Sequence, residues 1–192
     1  MSKAPTLSEV RQNTQPTDKF LCKIKANVYA LQFLKFEIKN SETGKVFYTH
    51  EQEVLPNSEM LINDDEYPLE MLAVLDEMRT IHYEFPEAFL RSKIVTSSIM
   101  FKIGDKPIKD LIIVDRFYFK DKLIKSYEFK FPFCIPNSTN EWDYVYEFPE
   151  LSNDLISQMI SSPEETHSET FFFVGEEMIL HNKALYSFSA NH

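Results

Sequence analysis

From Leu34 to Lys39 apolar and charged side chains alternate without a break, with Leu34, Phe36 and Ile38 against Lys35, Glu37 and Lys39. A period of two over this length requires an extended strand with one dry and one wet face. The same period returns along the chain. Ile81, Tyr83 and Phe85 oppose His82 and Glu84, and Val95, Ser97, Ile99, Phe101 and Ile103 share one side. Leu111, Ile113, Asp115, Phe117 and Phe119 share another, followed by Tyr127, Phe129, Phe131 and Phe133 and then by Trp142, Tyr144, Tyr146 and Phe148. Phe171 to Val174 and Met178 to Leu180 flank Gly175-Glu176-Glu177 and read as a terminal hairpin running on to Phe188. Turn residues punctuate these runs at 41–45, 104–107 and 120–122. Eight or nine short strands so separated predict an all-β sandwich or barrel. Two stretches have helical character. Ser152 can cap a turn or more carrying Leu155, Met159 and Ile160 before Pro163, and 68–78 reads as an amphipathic helix.

The aromatic content refines this picture. The chain has 17 Phe and 9 Tyr but only 3 Gly. Aromatics favour strands and fill wide interiors, so the sheets are expected to enclose something large and apolar. The net charge of −10 argues against nucleic acid and against anionic membrane surfaces, both of which attract Lys and Arg. Cys22 and Cys134 fit no metal or redox spacing, and a reducing cytosol is the expected compartment. Residues 1–18 are polar, contain Pro5 and Pro16 and show no period, so they are expected to form a disordered arm before a single domain over 19–192. No run approaches the ~20 apolar residues that span a bilayer, so direct membrane insertion is not expected. The N-terminus lacks a signal-peptide core, Ser2 precludes myristoylation, and the C-terminus is no prenylation box. The chain is expected to carry no lipid of its own.

Chemical motifs are sparse. Three scattered glycines form no phosphate loop, and neither a G-x-S-x-G elbow nor an H-E-x-x-H pair is present. The five His residues show no ligand spacing, so neither metal nor cofactor is expected, and a non-enzymatic role is the reading. The Asn137-Ser138-Thr139 sequon is a chance match in a cytosolic chain. Asp115 stands out because it shares strand parity with Ile113 and Phe117. It is either solvated at a bulge or sandwich edge, or a polar group at a pocket mouth that orients a ligand whose body is apolar. Phe33, Phe36, Tyr83, Phe89 and Phe172 fit an ordinary core or a pocket wall equally well.

Several segments, taken in order, resemble one family: Phe20-Leu21-Cys22, Asn27-Val28-Tyr29, Tyr83 to Arg91, Gly104 to Pro107, Arg116 to Phe119, Phe133 to Ser138, Tyr146 to Pro149, Phe172 to Val174 and, above all, His181 to Ser187. The family is that of the lipid-binding chaperones related to the retinal phosphodiesterase delta subunit, in its Unc-one-nineteen (uncoordinated) branch. The resemblance implies an immunoglobulin-like β-sandwich with an apolar lipid pocket between its sheets. It implies binding of N-myristoylated protein N-termini, including those of G-protein α subunits and ciliary cargo. Release by a GTP-bound Arf-like GTPase, delivery to ciliary or sensory membranes, and a cytoplasmic location that includes the cilium follow from it too. The implied lipid and peptide contacts are Phe33, Phe36, Ile38, Tyr83, Phe89, Asp115, Phe117 and Phe172. This chain departs from the family at three of these. Phe117 stands for His, Phe172 for Tyr, and Asp115 for Glu, which leaves Asp115 as the one polar reader expected in the wall. The stretch 51–78 matches poorly.

Overall fold

The computed structural model describes residues 4–55 and 63–190, and nine strands and four α-helices are found among them. The strands are β1 (Gln32–Asn40), β2 (Val46–Glu51), β3 (Thr80–Pro86), β4 (Ile94–Lys102), β5 (Ile108–Phe119), β6 (Lys122–Cys134), β7 (Thr139–Glu147), β8 (Thr166–Val174) and β9 (Glu177–Ser189). The helices are α1 (Leu7–Gln12), α2 (Leu69–Glu77), α3 (Glu87–Leu90) and α4 (Asn153–Ser161). Part of the poorly matching stretch 51–78, residues 56–62, lies outside the described residues.

Four strands form one antiparallel sheet in the order β2-β1-β4-β7, and five form the other in the order β3-β9-β8-β5-β6. Among the described strands only β3 joins its neighbour, β9, in parallel. The two sheets stack as an immunoglobulin-like β-sandwich, as the sequence pattern and the resemblance imply. The alternation in β1 has its expected consequence: Ile38 is buried while Lys35 and Lys39 reach the carboxylates of Glu51 and Glu37 on the wet face. Gly175, with φ of 61°, supplies the left-handed turn of the β8–β9 hairpin, a conformation strained for a residue with Cβ.

The space between the sheets is filled at both ends and not in the middle. One apolar cluster holds Tyr83, Phe85, Phe89, Val95, Phe117, Tyr186 and Phe188. The other holds Leu31, Ile99, Phe101, Ile103, Leu111, Ile113 and Phe172. Phe36 packs against both.

Residues 4–18 are not the mobile arm that their polarity and two prolines predict. Thr6 and Glu9 form a capping box, with the Thr6 N–H donating to Glu9 Oε2 at 2.7 Å and the Glu9 N–H to Thr6 Oγ1 at 3.2 Å. Such a box stabilises even a short helix. It lets α1 lay Leu7 and Val10, three residues apart, onto Val114, Phe171, Phe173 and Met178 on the outer face of the five-stranded sheet. The buried Arg116 guanidinium donates to Asn13 O at 2.6 Å and to Val10 O. Thr17 donates its N–H and hydroxyl to the buried Glu169 carboxylate at 2.9 and 2.6 Å. The expected 68–78 helix forms as α2, with Leu72 and Leu75 half-buried and Met71 and Val74 exposed.

Candidate functional site

A cavity of about 480 Å³ occupies the gap between the two clusters, within the roughly 300–1,000 Å³ usual for small-molecule sites. β1, β4 and β7 supply one wall with Phe33, Phe36, Ile38, Ser97, Ile99, Tyr144 and Tyr146. Ladder register explains this set: Ile38, Ser97 and Tyr144 stand in one row across the sheet, and Phe36 and Ile99 stand in the next. The opposing wall repeats the logic. Phe172 and Ile113 form an apolar row, while Asn182, Thr170 and Asp115 form a polar one. The cavity opens between the edge strands β2 and β3, where its lining includes the exposed His50, Gln52, Met78, Ile81 and His82.

Of the eight positions implied by the resemblance, six line this cavity: Phe33, Phe36, Ile38, Tyr83, Asp115 and Phe172. Phe33 and Phe172 meet across it with ring centroids 5.2 Å apart. The other two stand behind the wall. Phe117 is covered by Tyr186 and Phe148, at 5.4 and 5.5 Å, and Phe89 packs on Phe85 at 4.4 Å. Both belong to the filled end of the sandwich because their rows already abut the aromatic cluster. With Phe117 withdrawn, the replacement of His there removes no group from the surface of this cavity.

The expectation of one polar reader does not hold. Besides Asp115, the lining includes Ser97, Tyr144, Tyr146, Ser168, Thr170, Asn182 and Tyr186. Ser97 and the Tyr146 hydroxyl lie 3.2 Å apart, and Ser168 and the Tyr186 hydroxyl 3.0 Å apart. Strand parity carried the signal for these residues. Tyr144 shares a side with Trp142, and Ser168 and Thr170 share one with Phe172. Small hydroxyl residues are easily passed over beside so many Phe rings.

Asp115 points inward, so the pocket alternative holds over the solvated edge. The Thr170 hydroxyl donates to its Oδ1 at 2.9 Å. The residue is half-buried and lines the cavity. Burial pushes its pKa up to about 6, against the opposing pull of the Thr170 hydroxyl and the Arg116 backbone. An unfolded Asp titrates near ~3.9, so this group's contribution to stability is fully present below that value and is lost as pH rises through about 6. Asp115→Asn should therefore stabilise the fold at pH 7 relative to pH 4 by at most about 3 kcal/mol. Urea denaturation of both proteins at both pH values measures the difference, and an unchanged pH dependence would mean that the carboxyl is not desolvated.

Three cations are among the lining residues, Lys35, Arg79 and Lys183, and all are held by partners; Lys35 pairs with Glu51 at 2.8 Å. Arg79 lies over the Phe20 ring at 3.9 Å, donates to Cys22 O at 3.0 Å and pairs with Asp76. Lys183 reaches Glu169 at 3.2 Å and Thr17 O. The neighbouring His181 accepts the Leu21 N–H on Nδ1 at 3.0 Å. Burial first, then the charges of Lys183 and Arg79, pull its pKa down to about 3, so it is a neutral packing residue. Among the described residues no group of three His, Cys, Asp or Glu side chains could hold a metal ion. No helix there is long and apolar enough to cross a membrane.

The chain is similar to known proteins over most of its length. The family model described as "GMP-PDE, delta subunit" matches residues 25–188. Protein unc-119 homolog B-A of Xenopus laevis is 41 % identical over 178 residues, covering 92 % of this chain and 70 % of that protein. Protein unc-119 of Caenorhabditis elegans is 38 % identical over 174 residues, with 91 % and 75 % covered. Protein unc-119 homolog B of Homo sapiens is 38 % identical over 173 residues, with 90 % and 67 % covered.

Proposed function

The chain belongs to the GMP-PDE delta subunit family, and from that premise we propose that it is a non-enzymatic lipid-binding chaperone that takes the acyl chain of an N-myristoylated protein into its inter-sheet cavity. The observation that carries this reading is the cavity itself. It is walled by Phe33, Phe36, Ile38, Ile99, Ile113 and Phe172 and is open at one sheet edge. A signalling adaptor built on a filled aromatic core would have no such space.

The energetics suit the role. Burying the roughly 13 methylene and methyl groups of a myristoyl chain yields on the order of 10 kcal/mol before losses, at ~0.8 kcal/mol per group. One myristoyl group anchors a protein to a membrane only marginally, so a soluble site of similar apolarity can extract it. Phe and Tyr walls present that apolar area with few rotors to freeze. The hydroxyl band around Asp115 supplies acceptors and donors for the amides at the acyl group's end. Every ladder pairing lies within one sheet, so the sheets can part at the β2–β3 edge without breaking a ladder, while at the far edge the Tyr127 hydroxyl ties β6 to Glu147 O of β7 at 2.8 Å.

The cargo in this reading includes G-protein α subunits and ciliary proteins, solubilised in the cytoplasm and delivered to ciliary or sensory membranes. A GTP-bound Arf-like GTPase releases them by favouring a cavity shape that excludes lipid. Titrations with fluorescent peptides test the first step. The myristoylated peptide should bind, the unacylated one should not, and the lauroylated one should bind about 15-fold more weakly, since two methylenes amount to roughly 1.6 kcal/mol. A farnesylated competitor that displaces the myristoylated peptide at lower concentration would make this a prenyl carrier instead.

A further inference from the structure

The cavity mouth lies at the last turn of α2, and the strip of side chains leading away from it is apolar and exposed. Met71, Val74 and Met78 fall at i, i+3 and i+7, which is one face of a helix, and Ile81 follows on β3. They are 44 %, 56 %, 77 % and 37 % exposed, while Leu72 and Leu75 are half-buried. Met78 and Ile81 also line the cavity, so strip and cavity form one continuous surface. From Met78 back to Met71 the helix rises about 10 Å, the reach of roughly three extended residues. Thioether side chains adapt to apolar partners of varied shape.

Acids outnumber cations around this strip. α2 carries Glu70, Asp76 and Glu77 and no Lys or Arg, and the neighbouring cations are engaged, Arg79 with Asp76 and both Lys23 and Lys25 with Asp65. Glu70 and Glu77 are exposed on α2 itself. We infer that the strip is a second binding surface for the lipidated partner. It takes the few residues that emerge from the cavity behind the acylated glycine, and it selects segments in which an apolar side chain is accompanied by Lys or Arg. The inference rests on the acyl-binding reading above. An anionic membrane is repelled by the same acids, and a second copy would set like charges against each other. A cationic apolar peptide is therefore the occupant that the charges favour.

The test uses four probes: N-myristoyl-glycine amide, and three short N-myristoylated peptides whose residues just beyond the glycine are apolar–basic, apolar–acidic or all serine. Each is titrated against the full chain and against Met71→Ser/Val74→Ser, two positions outside the cavity wall. The full chain should bind the apolar–basic peptide at least about tenfold more tightly than the all-serine one. The double substitution should erase that gap while leaving the amide within about twofold. Glu70→Lys/Glu77→Lys should invert the preference between the basic and acidic peptides. Equal affinity for all three peptides, or a gap that survives the double substitution, overturns the inference and leaves the acyl reading standing. Failure of N-myristoyl-glycine amide to bind overturns the acyl reading and this inference with it. Binding to phosphatidylserine vesicles, or self-association, that disappears with Met71→Ser/Val74→Ser would assign the strip to a membrane or to a second copy and so overturn the inference as well.

Discussion

Phe36→Asp should leave a folded protein that binds a myristoylated peptide at least 100-fold more weakly, a loss of about 3 kcal/mol or more. Phe36 is the side chain that packs against both core clusters and lines the cavity between them. Its ring faces Tyr48 and Tyr83 with centroids 6.2 and 6.5 Å away. The strand itself does not depend on that ring. His50 and Ile99 flank Phe36 in the ladder, and those backbone bonds remain after the substitution. A carboxylate there can still be wetted while the cavity is empty, so folding tolerates it. A bound acyl chain would dry it, and the charged form then opposes binding by several kcal/mol. The defect should be partly relieved at acidic pH, where the new Asp takes up a proton. Circular dichroism and thermal melting establish the fold, and peptide titration gives the affinity. Undiminished binding would show that the acyl chain does not pass Phe36.

Much of this architecture was legible because alternation reports face directly. The period of two in β1 and β4 through β7 set the strands, and the same parity placed Asp115 inward, where the structure finds it. What parity cannot give is depth along the strand. Phe117 lies two residues beyond Asp115 on the same side of β5, yet Tyr186 and Phe148 cover it. Phe89 likewise sits on the short α3 against Phe85, behind the wall. Which inward residue meets empty space depends on how the opposing sheet fills each row, a long-range property of the packed sandwich. The polar band was missed for a related reason. Ser97, Ser168 and Thr170 gain meaning only when the ladders align them with Tyr144 and Asp115. The N-terminal segment misled through composition. Its polar average hid Leu7 and Val10 on one face of a two-turn helix, and the Thr6–Glu9 box was a local signal that outweighed the prolines.

That segment makes Arg116 the residue whose loss should most damage stability while sparing binding. Asp115 and Arg116 are neighbours on β5 and point to opposite faces, one into the cavity and one under α1. Arg116 is 3 % exposed, and its guanidinium holds the carbonyls of Val10 and Asn13. Hydrogen bonds from a charged donor contribute about 1.5–3 kcal/mol each. Arg116→Ala removes both and leaves the two carbonyls without this donor, so unfolding free energy should fall by about 3–5 kcal/mol. For a chain of this length that corresponds to a melting temperature lower by roughly 6–20 °C. Arg116→Met restores the stem's packing without the charge and should recover part of the loss. The segment over 4–18 should become open to limited proteolysis in Arg116→Ala before the sandwich does, because two of its ties to the sheet are cut while the ladders are intact. Below the new melting point, affinity for the myristoylated peptide should stay within about threefold, since none of the described residues before Phe33 lines the cavity. Melting unchanged by the substitution would show that α1 is held by its other contacts, the apolar packing of Leu7 and Val10 and the pairing of Arg11 with Glu128. A tenfold loss of affinity with melting preserved would mean that the outer face of the sheet sets the shape of the cavity on its inner face.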